Sequence, residues 1–189
     1  MLLEYVSLIW MTIEVVVAIG AGILASSFAL IAFGSDSVVE LASAGVVLRH
    51  LRSYSSGSIT NEKHDSLLTS ILLIAIVPLI GLSSTYAYFI EKIRPDASIA
   101  GLILAGGAII VMPILWRQKR IIGVETACVP LSIDALESAT CFFMSLALFG
   151  GLLLEFLFKV PWFDYGATLV ILSFVGFEAR ESFREARNG

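Results

Sequence analysis

The stretch LLEYVSLIWMTIEVVVAIGAGILASSFALIAFGSDSVVELASAGVVL, residues 2–48, decides the fold. It is almost continuously apolar. Drawn as one helix it would be ~70 Å long at 1.5 Å per residue, against a hydrocarbon core of ~30 Å. The chain must therefore turn back inside it. The small, polar step Ala25-Ser26-Ser27 lies near the middle and is the expected turn. It gives a first helix over residues 2–24 and a second over 28–49.

The rest of the chain repeats this pattern. RSYSSGSITNEKHD, residues 52–65, is polar and rich in Ser, a loop. A third helix is expected over 67–90, with Pro78 inside it as a kink. EKIRPD, residues 91–96, is the next turn, and a fourth helix follows over 97–116. WRQKR, residues 116–120, opens a short basic loop before a fifth helix over 127–154. The turn Lys159-Val160-Pro161 leads to a sixth over 163–183, whose last turns (Glu178, Arg180, Glu181, Arg184) read as amphipathic and salt-bridged. The expectation is an all-α membrane protein: one transmembrane domain over residues 1–189, six spans and no folded tail.

Composition agrees. Of 189 residues, 58% are hydrophobic and only 15% are charged, where a soluble domain carries ~25%. Mean hydropathy is +0.92. Disordered, collagen-like and disulfide-scaffold chains are excluded. A nucleic-acid binder is excluded too, since 12 basic residues stand against 16 acidic ones with no long basic run. Long unbroken apolar runs also exclude a β-barrel, which alternates. Cys128 and Cys141, on one helix, would lie ~20 Å apart and cannot pair. The first residues carry Glu4 and no basic run, so the first span is expected to act as its own insertion signal.

Basic residues set the orientation. Arg49, Arg52, Lys63, Arg117, Lys119, Arg120, Arg180, Arg184 and Arg187 fall on one side of the six-span scheme, and only Lys92, Arg94 and Lys159 on the other. Both termini are therefore expected in the cytoplasm, in a cytoplasmic or inner membrane. Tyr86, Tyr88, Trp116, Trp162 and Tyr165 fall near span ends as an aromatic belt.

The informative residues are acids inside the spans. Glu14 lies near the centre of helix one, Asp36 and Glu40 bracket the centre of helix two, and Asp134 and Glu137 lie in helix five. All Lys and Arg are expected at span ends or in loops, which leaves these acids without a basic residue at their depth. A charge at mid-bilayer costs ~2.5–3.5 kcal/mol on the insertion scale. Such acids keep their protons until a cation binds between them, the behaviour of a site that exchanges protons for metal. Asp36 and Glu40 are four apart and share one face; Asp134, Glu137 and Cys141 form one stripe on helix five. Asp36, Glu40, Glu137 and Cys141 come to similar depth and could supply four ligands, the number zinc prefers. Carboxylates with a thiolate suit zinc or a similar ion better than magnesium or calcium.

The alternatives are plainer. Single acids can bond to nearby hydroxyls (Ser35, Ser37, Ser43, Ser138, Thr140). Cys128 reads as packing. Glu14 and Asp134 are secondary ligand candidates, Asp134 also as a relay or entry-side acid. His64, with His50, Glu62 and Asp65, could collect metal at the mouth or be an ordinary loop residue. Glu125 and Glu155, near span ends, face water. Gly20, Gly22, Gly106, Gly107, Gly150 and Gly151 would allow close helix packing. FGSDSVVELASA (33–44) and LSIDALESAT (131–140) look alike three helices apart, the arrangement of an inverted repeat.

Asp36-Ser-Val-Val-Glu40 and Ser132-Ile-Asp134-Ala-Leu-Glu137-Ser-Ala-Thr-Cys141 resemble the helix-two and helix-five motifs of the cation diffusion facilitator transporters. That family places an Asp or His, three residues, then Asp on helix two, and a similar pair on helix five. Here Glu40 stands for the second Asp, and Glu137 and Cys141 for the usual His and Asp. The likeness is strongest over 32–49, 130–145 and 162–186, and closest to a short prokaryotic branch without the cytoplasmic C-terminal domain. It implies six helices with cytoplasmic termini and a homodimeric, proton-coupled exporter. Zinc or a similar divalent ion would be its substrate, with no prosthetic group. A non-transporting subunit or metal-sensing adaptor, and an intramembrane aspartyl enzyme pairing Asp36 with Asp134, are the competing classes. The latter lacks the Gly-x-Gly-Asp and Tyr-Asp motifs such enzymes use.

Overall fold

The computed structural model describes residues 2–54, 75, 77–96, 98–125 and 129–188. They are helical: α1 (Leu2–Ala25), α2 (Phe28–Tyr54), α3 (77–91, ending in a π-helical turn, Ala87–Glu91), α4 (Ile99–Glu125), α5 (Val129–Phe158) and α6 (Trp162–Asn188). Among the described residues three stretches are long and apolar enough to cross a membrane: Tyr5–Ala25, Ile99–Glu125 and Ala135–Phe158. Their outward faces carry Ile9, Val16, Ile23, Ile103, Ile110, Phe143 and Leu157, all exposed. Large apolar side chains outside and acids inside define a membrane protein.

The packing is a ring. α1 lies on α2, α2 on α6, α6 on α5, α5 on α4 and α4 on α1, and α2 also meets α5 across it. α3 leans on α6, where Gly81 faces Leu172 and Tyr88 packs edge-on against Trp162 and Tyr165. α2 and α5 each touch three other helices, which lets α2 bury Asp36 and Glu40 and α5 bury Cys141. Close approach at α1–α2 needs glycine. A Cβ on Gly22 would come within 2.8 Å of Ile31 Cγ1, and one on Gly34 within 2.8 Å of Ile19 Cγ1. Gly107 and Gly151 do the same against Trp10 and Ala167, whereas Gly20 and Gly150 face no neighbour within 4 Å.

The turns α1–α2, α3–α4 and α5–α6 lie at one end of the bundle and are tied together. Each bends through a non-glycine residue in the left-handed region: Ser26 (φ 53°), Lys92 (φ 51°) and Lys159 (φ 55°). α1 ends in a Schellman motif, with Ser27 N–H donating to Gly22 O at 2.9 Å and Ser26 N–H to Ile23 O at 3.4 Å. Ser27 also caps α2, its Oγ accepting from Leu30 N–H at 3.2 Å. Asp164, in the first turn of α6, completes this cap from another helix. It accepts from Ser27 Oγ, from Phe28 N–H at 3.0 Å and from Ala29 N–H at 3.4 Å. Asp96 N–H donates to Ala25 O at 2.9 Å, and Tyr165 Oη to Ile93 O at 3.0 Å.

The expected break at Ala25-Ser26-Ser27 is where α1 ends. Other boundaries differ. α4 runs through WRQKR to Glu125 rather than stopping at residue 116, because Arg, Gln and Lys are strong helix formers. It carries Pro113 internally, tolerable in a helix whose neighbours supply partners. α2 and α6 also run past their expected ends, to Tyr54 and Asn188. Pro78 lies on the exposed face of α3, and the departure from α geometry comes at Ala87–Glu91.

Candidate functional site: a buried acid and thiol cluster

The interior of the ring holds an acid from each of several helices. Glu14 of α1 is 0% exposed, Asp36 and Glu40 of α2 are 1% and 3%, and Cys141 of α5 is 0%. One ligand atom each from Glu14, Glu40 and Cys141 lie within 4.8 Å of one another. Around a zinc ion, with ligand bonds of 2.0–2.3 Å, neighbouring ligand atoms sit ~3.5 Å apart, so closure by about an ångström would complete three corners of a tetrahedron. Glu14 is held by its own helix: Trp10 Nε1–H, one turn earlier, donates to Glu14 Oε1 at 2.7 Å. Its Oε2 is buried and has no hydrogen-bond partner among the described residues.

Asp36 and Glu137 lie beside this trio rather than in it. Asp36 interacts electrostatically with Glu137 and Glu14, and Glu40 with Asp36, Glu178, Glu14 and Glu137. Neither oxygen of Asp36 or Glu40 has a hydrogen-bond partner among the described residues. The nearby hydroxyls bond to their own helices. Ser37 Oγ donates to Phe33 O at 3.0 Å, and Thr140 Oγ1 to Leu136 O at 3.3 Å. The four residues chosen from spacing are thus split: the structure puts Glu40 and Cys141 together, adds Glu14, and sets Asp36 and Glu137 alongside. Asp134 lies on α5, but its side chain is outside the described residues, as are His64, the loop around it and Cys128.

Three expectations are corrected. Lys119 does not sit in a loop: it is inside α4, 0% exposed, and its Nζ donates to Ser138 Oγ of α5 at 3.3 Å. Ser138 follows Glu137 and precedes Cys141 by one turn, so a basic residue does lie at the depth of the acids. Glu178 is not part of a solvated salt-bridged end. It turns inward, its Oε2 buried, and interacts with Asp36. Glu155 does not face water but is 3% exposed, beside Asp164 and Asp96 at the tied end.

The signal for Glu178 was a stripe. Asp164, Thr168, Ile171 and Val175 are the buried face of α6, and Glu178 comes next at helical spacing. The signal for Trp10 was its place four residues before an intramembrane acid. Lys119 gave none, since a lysine in the run Arg117-Gln118-Lys119-Arg120 reads as solvated.

No protein-family model matches the chain, and no curated protein does.

Proposed function

We propose that this protein is a multi-pass exporter of divalent metal cations, zinc first among them, that exchanges metal for protons. The observation that carries the reading is the buried trio of Glu14, Glu40 and Cys141, one ligand atom from each of three helices within 4.8 Å. Asp36, Glu137 and Glu178 sit around it. Buried acids without hydrogen-bond partners are costly, and their convergence from separate helices is what a cation would compensate. The thiol tilts the choice toward softer ions. The α2 and α5 motifs resemble the cation diffusion facilitators, and this reading takes from them six spans, cytoplasmic termini, an inner-membrane location and a homodimer.

In this scheme metal enters from the cytoplasmic side and displaces protons from the carboxyls. Reopening to the other side exposes the site to protons that displace the metal in turn. The residues named do no covalent chemistry; they bind, and they hold or release protons. Adding zinc to purified protein in weak buffer should acidify the solution. The protein in proteoliposomes should move zinc against an opposed proton gradient. Zinc binding without proton release at any pH removes the exchange, and no zinc binding at all removes the transport reading.

A further inference from the structure

We propose that the turn end of the bundle carries a second cation site, built on Glu155 with Asp96 and Asp164, that takes a hard divalent ion of calcium's kind. Glu155 lies in the last turn of α5, 14 residues or ~21 Å along that helix from Cys141, so it is no part of the interior trio. Its side chain is 3% exposed, and neither carboxylate oxygen has a hydrogen-bond partner among the described residues. The charges that act on it are those of Asp164 and Asp96, both negative. Helix ends bring the three acids together. At Gly151, one turn before Glu155, α5 meets α6 closely: a Cβ there would lie 3.1 Å from Phe163 O. That seam sets Glu155 beside Asp164 in the first turn of α6. Asp96 is held at the same end from the α3–α4 turn, its N–H donating to Ala25 O at 2.9 Å. Its side chain is exposed, so the group opens to water.

The fold accounts for two of the three acids without an ion. Asp164 caps α2 and accepts from the Ser27 hydroxyl and two amides, and Asp96 is solvated. Glu155 is neither capped nor solvated. A buried carboxyl with no donor, facing two further acids, is costly until a cation joins it. A divalent ion between Glu155 and Asp96 would neutralise both, and the charge of Asp164 would hold it more firmly. The donors of the group are all carboxylate oxygens, which suits a hard ion rather than zinc or cadmium. Calcium accepts an irregular shell of carboxylates and water, whereas magnesium demands near-ideal octahedral geometry. One buried and one exposed carboxylate make an irregular shell. A bound ion would also bridge the α3–α4 turn to α5, and so stabilise the end where the helices are already tied.

The test is sensitised terbium luminescence on the purified full-length protein in micelles, terbium standing for calcium. Tyr165 interacts electrostatically with Asp164 and Glu155, and it packs against Tyr88, which packs against Trp162. Excitation of these rings should therefore light a terbium ion bound there. Wild type should give a saturable signal that calcium displaces and magnesium displaces poorly, and calcium should raise its Tm. Glu155→Gln, nearly the same shape, should weaken terbium binding about tenfold or more, the scale expected for removing one unit charge beside the ion, and should lose the calcium-dependent rise in Tm. Asp96→Asn changes an exposed side chain, so it tests the site even if Glu155→Gln fails to fold, and it should also weaken binding. Glu40→Ala, which breaks the proposed interior site, should leave the signal in place. A wild-type protein with no calcium-displaceable signal overturns the proposal, as do Glu155→Gln and Asp96→Asn variants that bind terbium as wild type does. A signal lost in Glu40→Ala but kept in Glu155→Gln places the ion inside the ring and overturns it as well. Failure of zinc to bind inside the ring would overturn the transport reading and leave this result standing.

Discussion

Trp10→Phe isolates one supporting hydrogen bond of the proposed site. Trp10 Nε1–H donates to Glu14 Oε1 at 2.7 Å, and that leaves Oε2 for the interior. Trp10 meets Gly107 through Cη2 and Cζ2, which phenylalanine lacks, so the variant also loosens the α1–α4 contact and its thermal stability is measured alongside. What is lost is a hydrogen bond to a group that is charged when metal is bound, worth ~1.5–3 kcal/mol. At about 1.4 kcal/mol per decade, that is roughly a 10- to 150-fold loss of zinc affinity. The range overlaps the 10- to 100-fold typical of removing a partner behind a metal ligand. The assay is zinc titration of purified wild type, Trp10→Phe, Glu14→Gln and the double variant. If the indole acts by orienting Glu14, Trp10→Phe should cost little further once Glu14 is gone. Wild-type affinity in Trp10→Phe, or full additivity in the double variant, refutes the role given to both residues.

Glu40→Ala and Asp36→Ala should each abolish zinc flux in proteoliposomes while thermal stability holds or rises, because each removes a buried acid with no hydrogen-bond partner among the described residues. Cys141→Asp should make the site all-carboxylate and move selectivity from cadmium toward manganese in competition binding, with Cys141→Ala as the size control. Asp164→Ala should lower unfolding free energy in mixed micelles by ~2–4 kcal/mol, since the Ser27 hydroxyl and the Phe28 and Ala29 amides lose their acceptor together. Its zinc affinity should change much less, as Asp164 is 14 residues, ~21 Å, along α6 from Glu178.

The sequence revealed those features that depend on one helix at a time. The α1–α2 break was legible because two serines interrupt an apolar run too long for one span, and the faces of Asp36–Glu40 and Glu137–Cys141 because spacing alone sets them. Relative depth was not legible. It depends on how far α1 slides along α2, which the Gly22–Ile31 and Gly34–Ile19 contacts fix. That slide brings Glu14 to Glu40 and Cys141 and leaves Asp36 beside them. Charged neighbours also misled. Lys119 sits among Gln118 and Arg120, and Glu178 two residues before Arg180, so both read as wet, although a helix buries one residue and exposes the next.

The bundle divides its polar residues unevenly, and the division bears on function. At the turn end Asp164 takes three donors, Ser27 both donates and accepts, Tyr165 reaches Ile93 O, and Asp96 N–H reaches Ala25 O, while both oxygens of buried Glu155 have no hydrogen-bond partner among the described residues. That end joins α1, α2, α6 and the α3–α4 turn by hydrogen bonds between elements, beneath a group of rings formed by Phe28, Tyr88, Trp162 and Tyr165. Inside the ring the pattern reverses. Among the described residues Asp36 and Glu40 offer four oxygens with no hydrogen-bond partner, and Glu14 offers a fifth. Buried carboxyls of this kind destabilise a fold unless something pairs with them. Ser37, buried on the same helix as Asp36 and Glu40, donates to its own backbone. On the proposed reading these acids pair with a cation that comes and goes, and the donors at the turn end hold the frame around them.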